Sequence, residues 1–166
     1  MKKVFFILFI VFSFLSCSTS RKQKELEKRG SIKPIYQYET LEEGLVAVLL
    51  KEPLRWKVSL VEDGVEYGRA FFFFKKYCAS DVSTKAFGNK TVIEGESRGA
   101  RYTFIREELE DKSGFFYEVR VVYRKEIKEK EKAEFLLAAN LSRFIREGSL
   151  EVEVMDEPEK YVKFMR

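Results

Sequence analysis

Val65-Glu66-Tyr67-Gly68-Arg69-Ala70-Phe71-Phe72-Phe73-Phe74-Lys75-Lys76-Tyr77 contains the longest aromatic run of the chain. Its centre, Ala70 to Phe74, is apolar at every position, so a strand here would bury both faces. Just before it, Asp63-Gly64 is a dipeptide that favours a tight hairpin turn. Before that, Trp56, Val58 and Leu60 alternate with Arg55, Lys57 and Ser59, the pattern of a half-buried strand. Together these signals predict a hairpin whose long second strand, Val65 to Tyr77, is covered on both sides.

Further strands follow on the same reasoning. Tyr77 to Lys90 reads as an irregular connection with room for a short helical turn near Ser80. Thr91 to Glu96 and Ala100 to Leu109 read as strands joined at Ser97-Arg98-Gly99. Phe115 to Arg124 follows the turn Asp111-Lys112-Ser113-Gly114. It sets Phe115, Tyr117, Val119, Val121 and Tyr123 on one face and Glu118, Arg120 and Arg124 on the other.

Helices frame these strands. Thr40-Leu41-Glu42-Glu43 has capping-box spacing, and Leu41, Leu45, Val48 and Leu49 share a face before Pro53 stops the helix. Phe135 to Ile145 is apolar around most of a helix, and Gly148 is placed to end it. Leu150, Val152 and Val154 alternate as a late strand, and Tyr161 to Met165 offers one more. The order predicts an α+β fold, an antiparallel sheet of five to seven strands with helices packed on it. A doubly covered phenylalanine strand implies a three-layer arrangement that resembles the PsbP-like sandwich. A curved sheet wrapping one helix is the alternative.

The N-terminus carries a different message. Met1, Lys2 and Lys3 lead into an apolar run from Val4 to Phe12, which closes on Leu15-Ser16-Cys17. About a dozen apolar residues fall short of the roughly 20 that a spanning helix needs and match a secretory signal. The ending resembles the lipobox of bacterial lipoproteins, with Ser16 as the small residue before Cys17. Leu15 and Phe14 depart from that pattern, so ordinary signal cleavage between Ser16 and Ser20 stays open. The resemblance implies that Cys17 becomes the first mature residue, carries acyl groups such as palmitate, and anchors the protein to the cell-envelope membrane. Ser18 to Lys33, mixed in charge and without an apolar face, reads as a solvated tether. Its basic residues could also meet anionic headgroups. The organisation expected is signal 1–16, lipidated cysteine and tether 17–34, and one globular domain 35–166.

Composition narrows the function classes. The chain of 166 residues has a formal net charge of +4. Two of those charges are Lys2 and Lys3, so the exported part is near neutral and nucleic acid is not an expected partner. There is no histidine, which removes the commonest general base and metal ligand. No cofactor and no metal site are expected. Glu94 with Glu96, or Glu107 with Glu108 and Glu110, could serve glycoside-type chemistry. Cys78 as a nucleophile would need Lys75, Lys76 or Lys85 to stabilise its thiolate; a packed, inert thiol is the simpler reading. Lys85, Phe87 and Lys90 are the candidate binding residues, an aromatic beside Gly88 flanked by charge. The function expected is a non-catalytic envelope module that binds or assembles with a protein partner. A lipid- or small-ligand-binding module and a carboxylate-dependent hydrolase are the alternatives.

Charged residues make up 35% of the chain, while its amides are only Gln23, Gln37, Asn89 and Asn140. That balance is the composition reported for thermophiles, and it resembles short lipoproteins of thermophilic anaerobes such as Thermotoga. The fragment from Ile35 onward is therefore expected to melt above the ~45–65 °C of mesophile domains. A calorimetric midpoint inside that range would reject the thermophile reading.

Overall fold

The computed structural model describes residues 38–165 apart from 79–81. The signal, Cys17, the tether and the turn expected near Ser80 lie outside the described residues. Helix α1 (Leu41–Leu49) leads to strand β1 (Arg55–Ser59) and helix α2 (Leu60–Tyr77). Strands β2 (Ser83–Phe87), β3 (Lys90–Ser97), β4 (Ala100–Glu108) and β5 (Gly114–Tyr123) follow. The chain closes with α3 (Lys130–Glu147), α4 (Val152–Asp156) and α5 (Glu159–Val162). The fold is α+β, with five antiparallel strands in the order β1-β5-β4-β3-β2 and helices packed on the sheet.

The stretch Val65 to Tyr77 is helix, not strand. It belongs to α2, whose 18 residues begin one position after Ser59. Ser59 and Glu62 form a reciprocal capping box: the Glu62 N–H donates to Ser59 Oγ, and the Ser59 N–H donates to Glu62 Oε2. Glu62 and Asp63 occupy the first turn and Lys75 and Lys76 the last, each favourable to the helix dipole. Asp63-Gly64 therefore lies inside the first turns of a helix and makes no hairpin. Burial follows the helical period: Ala70, Phe73 and Phe74 are buried, while Phe71 and Phe72 are half exposed.

The layering changes with it. Tyr102 and Phe104 on β4 and Tyr117, Val119 and Tyr123 on β5 point to one face of the sheet and are buried there. Both long helices pack on that face. Phe73 of α2 meets Tyr102 at 5.2 Å between ring centres and Phe144 of α3 at 6.1 Å. Among the described residues the fold has two layers rather than three, and the second sheet face is left open. The expected Tyr77–Lys90 connection is also shorter, because β2 forms within it and pairs with β3.

Close approach explains one glycine. A Cβ on Gly95 of β3 would stand 2.7 Å from Cys78 Cβ and 3.1 Å from Phe74 Cδ1. The end of α2 thus rests directly on the β3 backbone. At the opposite turn, Arg98 (φ 54°) and Gly99 (φ 80°) adopt the two left-handed conformations of a tight hairpin between β3 and β4.

The expected late strands are also helical. The buried Asn140 side chain donates to the Glu151 carbonyl and accepts from the Glu151 N–H, at 2.8 and 3.0 Å. That amide takes the backbone groups a strand pairing would need. Beyond it, adjacent Val154 and Met155 are both buried while Val152 is exposed, which no alternating strand allows. Helix α3 ends as expected at Gly148, which is left-handed. The Arg69 guanidinium of α2 caps that end by donating to the Ile145 and Arg146 carbonyls at 3.1 and 2.6 Å.

Asp63 ties the first turn of α2 to the sheet. Arg106 of β4 grips it with two hydrogen bonds of 2.7 and 2.8 Å, and the Tyr117 hydroxyl of β5 donates to it at 2.5 Å. The guanidinium also lies 3.5 Å from the centre of the Phe115 ring. Burial raises the carboxyl's pKa, but the Arg106 and Tyr117 hydrogen bonds and the Arg106 charge outweigh it and hold Asp63 below the usual aspartate value. A lowered folded value stabilises the fold above the unfolded value of about 3.9, and that contribution fades as pH falls through the folded one. Asp63→Asn should therefore cost about 1.5–3 kcal/mol at neutral pH, as for a hydrogen bond to a charged group. Urea unfolding at stepped pH should show the gap to the parent closing below about pH 4; a gap that persists unchanged there would refute the charged role of Asp63.

Candidate binding surface

The open face of the sheet carries the candidate residues. Lys85 and Phe87 point outward from β2 and Lys90 from the start of β3. In register, one row runs across all five strands: Phe87, Lys90, Glu107, Phe116 and Lys57. A parallel row holds Lys85, Val92, Ile105, Glu118 and Arg55. Phe87 is 61% exposed, so it does not fold back to cap the core. The structure thus brings Lys85, Phe87 and Lys90 onto the open face at one edge of the sheet rather than a loop tip.

Ion pairs lace this face. Lys85 lies 3.6 Å from Glu94, and Lys90 lies 3.1 Å from Glu107. Glu107 also faces Arg55 at 3.9 Å, and the Arg55 guanidinium sits 4.9 Å over the Phe116 ring. Glu96 is shared by Arg101, at 2.9 Å, and Arg124. Each of Glu94, Glu96 and Glu107 is therefore held by a cation from a neighbouring strand or from the residue after β5. Glu107 and Glu108 are strand neighbours and point to opposite faces.

A cleft of about 490 Å³ opens at the end of this face, between β1 and the β4–β5 turn. Phe116 and Leu109 give it apolar wall, while Arg55, Lys57, Glu107 and Glu110 give it charge of both signs. Asn89 closes one side: its Nδ2 donates to the Glu108 carbonyl, and its own carbonyl accepts the Glu108 N–H. A second opening of about 500 Å³ lies where β1 is too short to cover β5, lined by Leu54, Val119, Val121, Phe135 and Ala138.

No protein-family model, curated protein or solved structure matches this chain. The surface is read from its own chemistry.

Cys78 lies on the other side of the sheet. The thiol is fully buried against Gly95, and burial pushes its pKa up to about 12. Lys75 and Lys76 lie exposed on α2, and Lys85 is engaged with Glu94 on the opposite sheet face, so none of the three stabilises a thiolate at Cys78. Phe116 is not among the candidate residues read from the sequence. The signal that would have found it is the alternation of β5, which puts Phe116 in phase with Glu118 and Arg120.

Phe87→Ala should leave stability within about 0.5 kcal/mol of the parent, as at most exposed sites. Phe73→Ala, measured beside it by urea unfolding, should lose about 3–5 kcal/mol. A loss of core size at Phe87 would remove it from the candidate surface.

Proposed function

We propose that this protein is an exported lipoprotein, anchored through Cys17, whose folded part is a non-catalytic module for binding or assembly at the cell envelope. The observation that carries the reading is the short apolar run ending on Leu15-Ser16-Cys17. Two or more acyl chains on one cysteine hold a protein stably at a membrane, whereas a single chain does not. The mixed-charge tether then allows the folded part to stand off by up to roughly 50 Å, at about 3.3–3.6 Å per residue.

The partner surface in this reading is the open sheet face. Phe87 and Phe116 supply aromatic contact area, and the cross-strand ion pairs around them keep the face soluble when it is free. A protein partner suits an ion-paired surface with aromatic side chains in it, since aromatic anchors within a polar rim are how interfaces concentrate their affinity. A small-ligand reading has one observation behind it, the cleft at Phe116; its charged walls suit a polar ligand better than a lipid.

Cys17→Ala tests the anchor. Cells expressing the parent should incorporate labelled palmitate into the protein and hold it in the membrane fraction. The variant should lose the label and accumulate as an unprocessed precursor. A parent that takes up no label, or a variant processed as the parent is, would overturn the lipoprotein reading.

A further inference from the structure

One helix face carries a cost that the fold does not explain. Val61, Gly64, Val65, Gly68, Phe71 and Phe72 recur every three or four residues along α2 and form one stripe. The stripe faces away from the sheet: Val61 is 88% exposed, Val65 57%, Phe71 47% and Phe72 50%. It holds no charge over about 16 Å of helix, at 1.5 Å per residue. Contiguous apolar exposure of this kind marks an interaction surface.

The stripe has a shape. A Cβ at Gly64 or Gly68 would meet nothing within 4 Å among the described residues. Glycine inside an exposed helix weakens it relative to alanine, and nothing in the described fold uses the space that these two leave. The N-terminal half of the stripe is thus a shallow notch over bare backbone, and the C-terminal half is the half-exposed rings of Phe71 and Phe72. Phe72 rests on one side against Phe144 of α3 at 6.4 Å, with Lys76 over its face. Charge is graded along the same axis, with exposed Glu62 in the first turn and exposed Lys75 and Lys76 in the last.

We propose that this face docks a second copy of the chain, α2 against α2 and antiparallel, across a two-fold axis at Gly68. A two-fold contact must be self-complementary, and this stripe is. With Gly68 on the axis, Phe72 of each copy enters the notch at the other's Gly64, and Phe71 meets Val65. The acidic first turn of each helix then lies beside the basic last turn of its partner, an arrangement the helix dipoles also favour. A parallel pairing would set Lys75 and Lys76 against their own copies. The proposal stands whether or not Cys17 is acylated.

Cross-linking of the full chain in intact cells tests it. Gly68→Cys puts a thiol on the axis, where a mild oxidant should yield a disulfide dimer at least fivefold above an exposed control, Lys163→Cys. Adding Gly64→Leu fills the notch and should lower that yield at least fivefold, although it makes the surface more apolar. Adding Lys75→Glu and Lys76→Glu should lower it as well, and Glu62→Lys on top should restore it, which also shows that the chain is folded. Yield no higher than the control would overturn the dimer and leave the stripe to a lipid surface or another protein. Yield unchanged or raised by Gly64→Leu would also overturn it, since only non-specific apolar association behaves that way.

Discussion

The ring of Phe73 is the joint on which the three main parts of the molecule meet. It lies on α2, stacks edge-on against Tyr102 of β4 at 5.2 Å and reaches Phe144 of α3 at 6.1 Å. Phe74 and Tyr77 close around it, each at 5.5 Å. Aromatic pairs at these separations add to the burial of their surface. The Tyr102 ring is held by packing rather than by its hydroxyl, which is buried and has no hydrogen-bond partner among the described residues. Gly95 makes the joint possible by letting Cys78 and Phe74 reach the β3 backbone. Once Phe73, Phe74 and Ala70 face the sheet, the rotation of α2 is set. Phe71 and Phe72 must then face outward; the joint sets their direction but gives no reason for the outward residues to be apolar.

The same rotation explains where sequence reasoning failed. Four consecutive phenylalanines carry strong β-propensity, and a five-residue apolar block has no period of its own. The information lay at the ends of the segment. Ser59-x-x-Glu62 is a capping box, Glu62-Asp63 and Lys75-Lys76 complement the dipole, and Ala70, Phe73 and Tyr77 repeat at helical spacing. Tertiary packing and capping overrode propensity, and the Asp-Gly pair was absorbed into the first turns. The strands β3, β4 and β5, by contrast, alternate and are joined through turns that contain Gly99 and Gly114, so their ranges were legible to within about two residues. The late strands failed for a different reason. Val152 and Val154 alternate, but the Glu151 backbone is claimed by the side chain of Asn140, a tertiary contact that no local pattern carries.

The candidate surface was legible in part. Lys85, Phe87 and Lys90 could be named because an aromatic beside Gly88 is conspicuous in any context. Phe116 carried a signal too, since the alternation of β5 puts it in phase with Glu118 and Arg120. That Ile105 and Val92 lie beside these residues could not be read, because cross-strand register exists only after the sheet forms. The acids show the same limit. Glu94, Glu96 and Glu107 look free in sequence, yet each meets a cation from a neighbouring strand or from the residue after β5.

Those pairings separate two kinds of exposed surface. On the open sheet face every apolar side chain is bordered by charge, so water can cover it at little cost. Scattered exposed apolar residues of this sort are ordinary. On α2 the stripe from Val61 to Phe71 has no cross-strand ion pair of this kind, and charge reaches it only at its C-terminal end, where Lys76 lies over Phe72. The charges of that helix sit at its two ends or turn inward, as Asp63 does to Arg106, Glu66 to Trp56 and Arg69 to the end of α3. The inward charges fasten the helix to the fold without drawing on its outer face. A helix held this way can expose an uncharged face without losing its place, which is the condition for offering that face to something else.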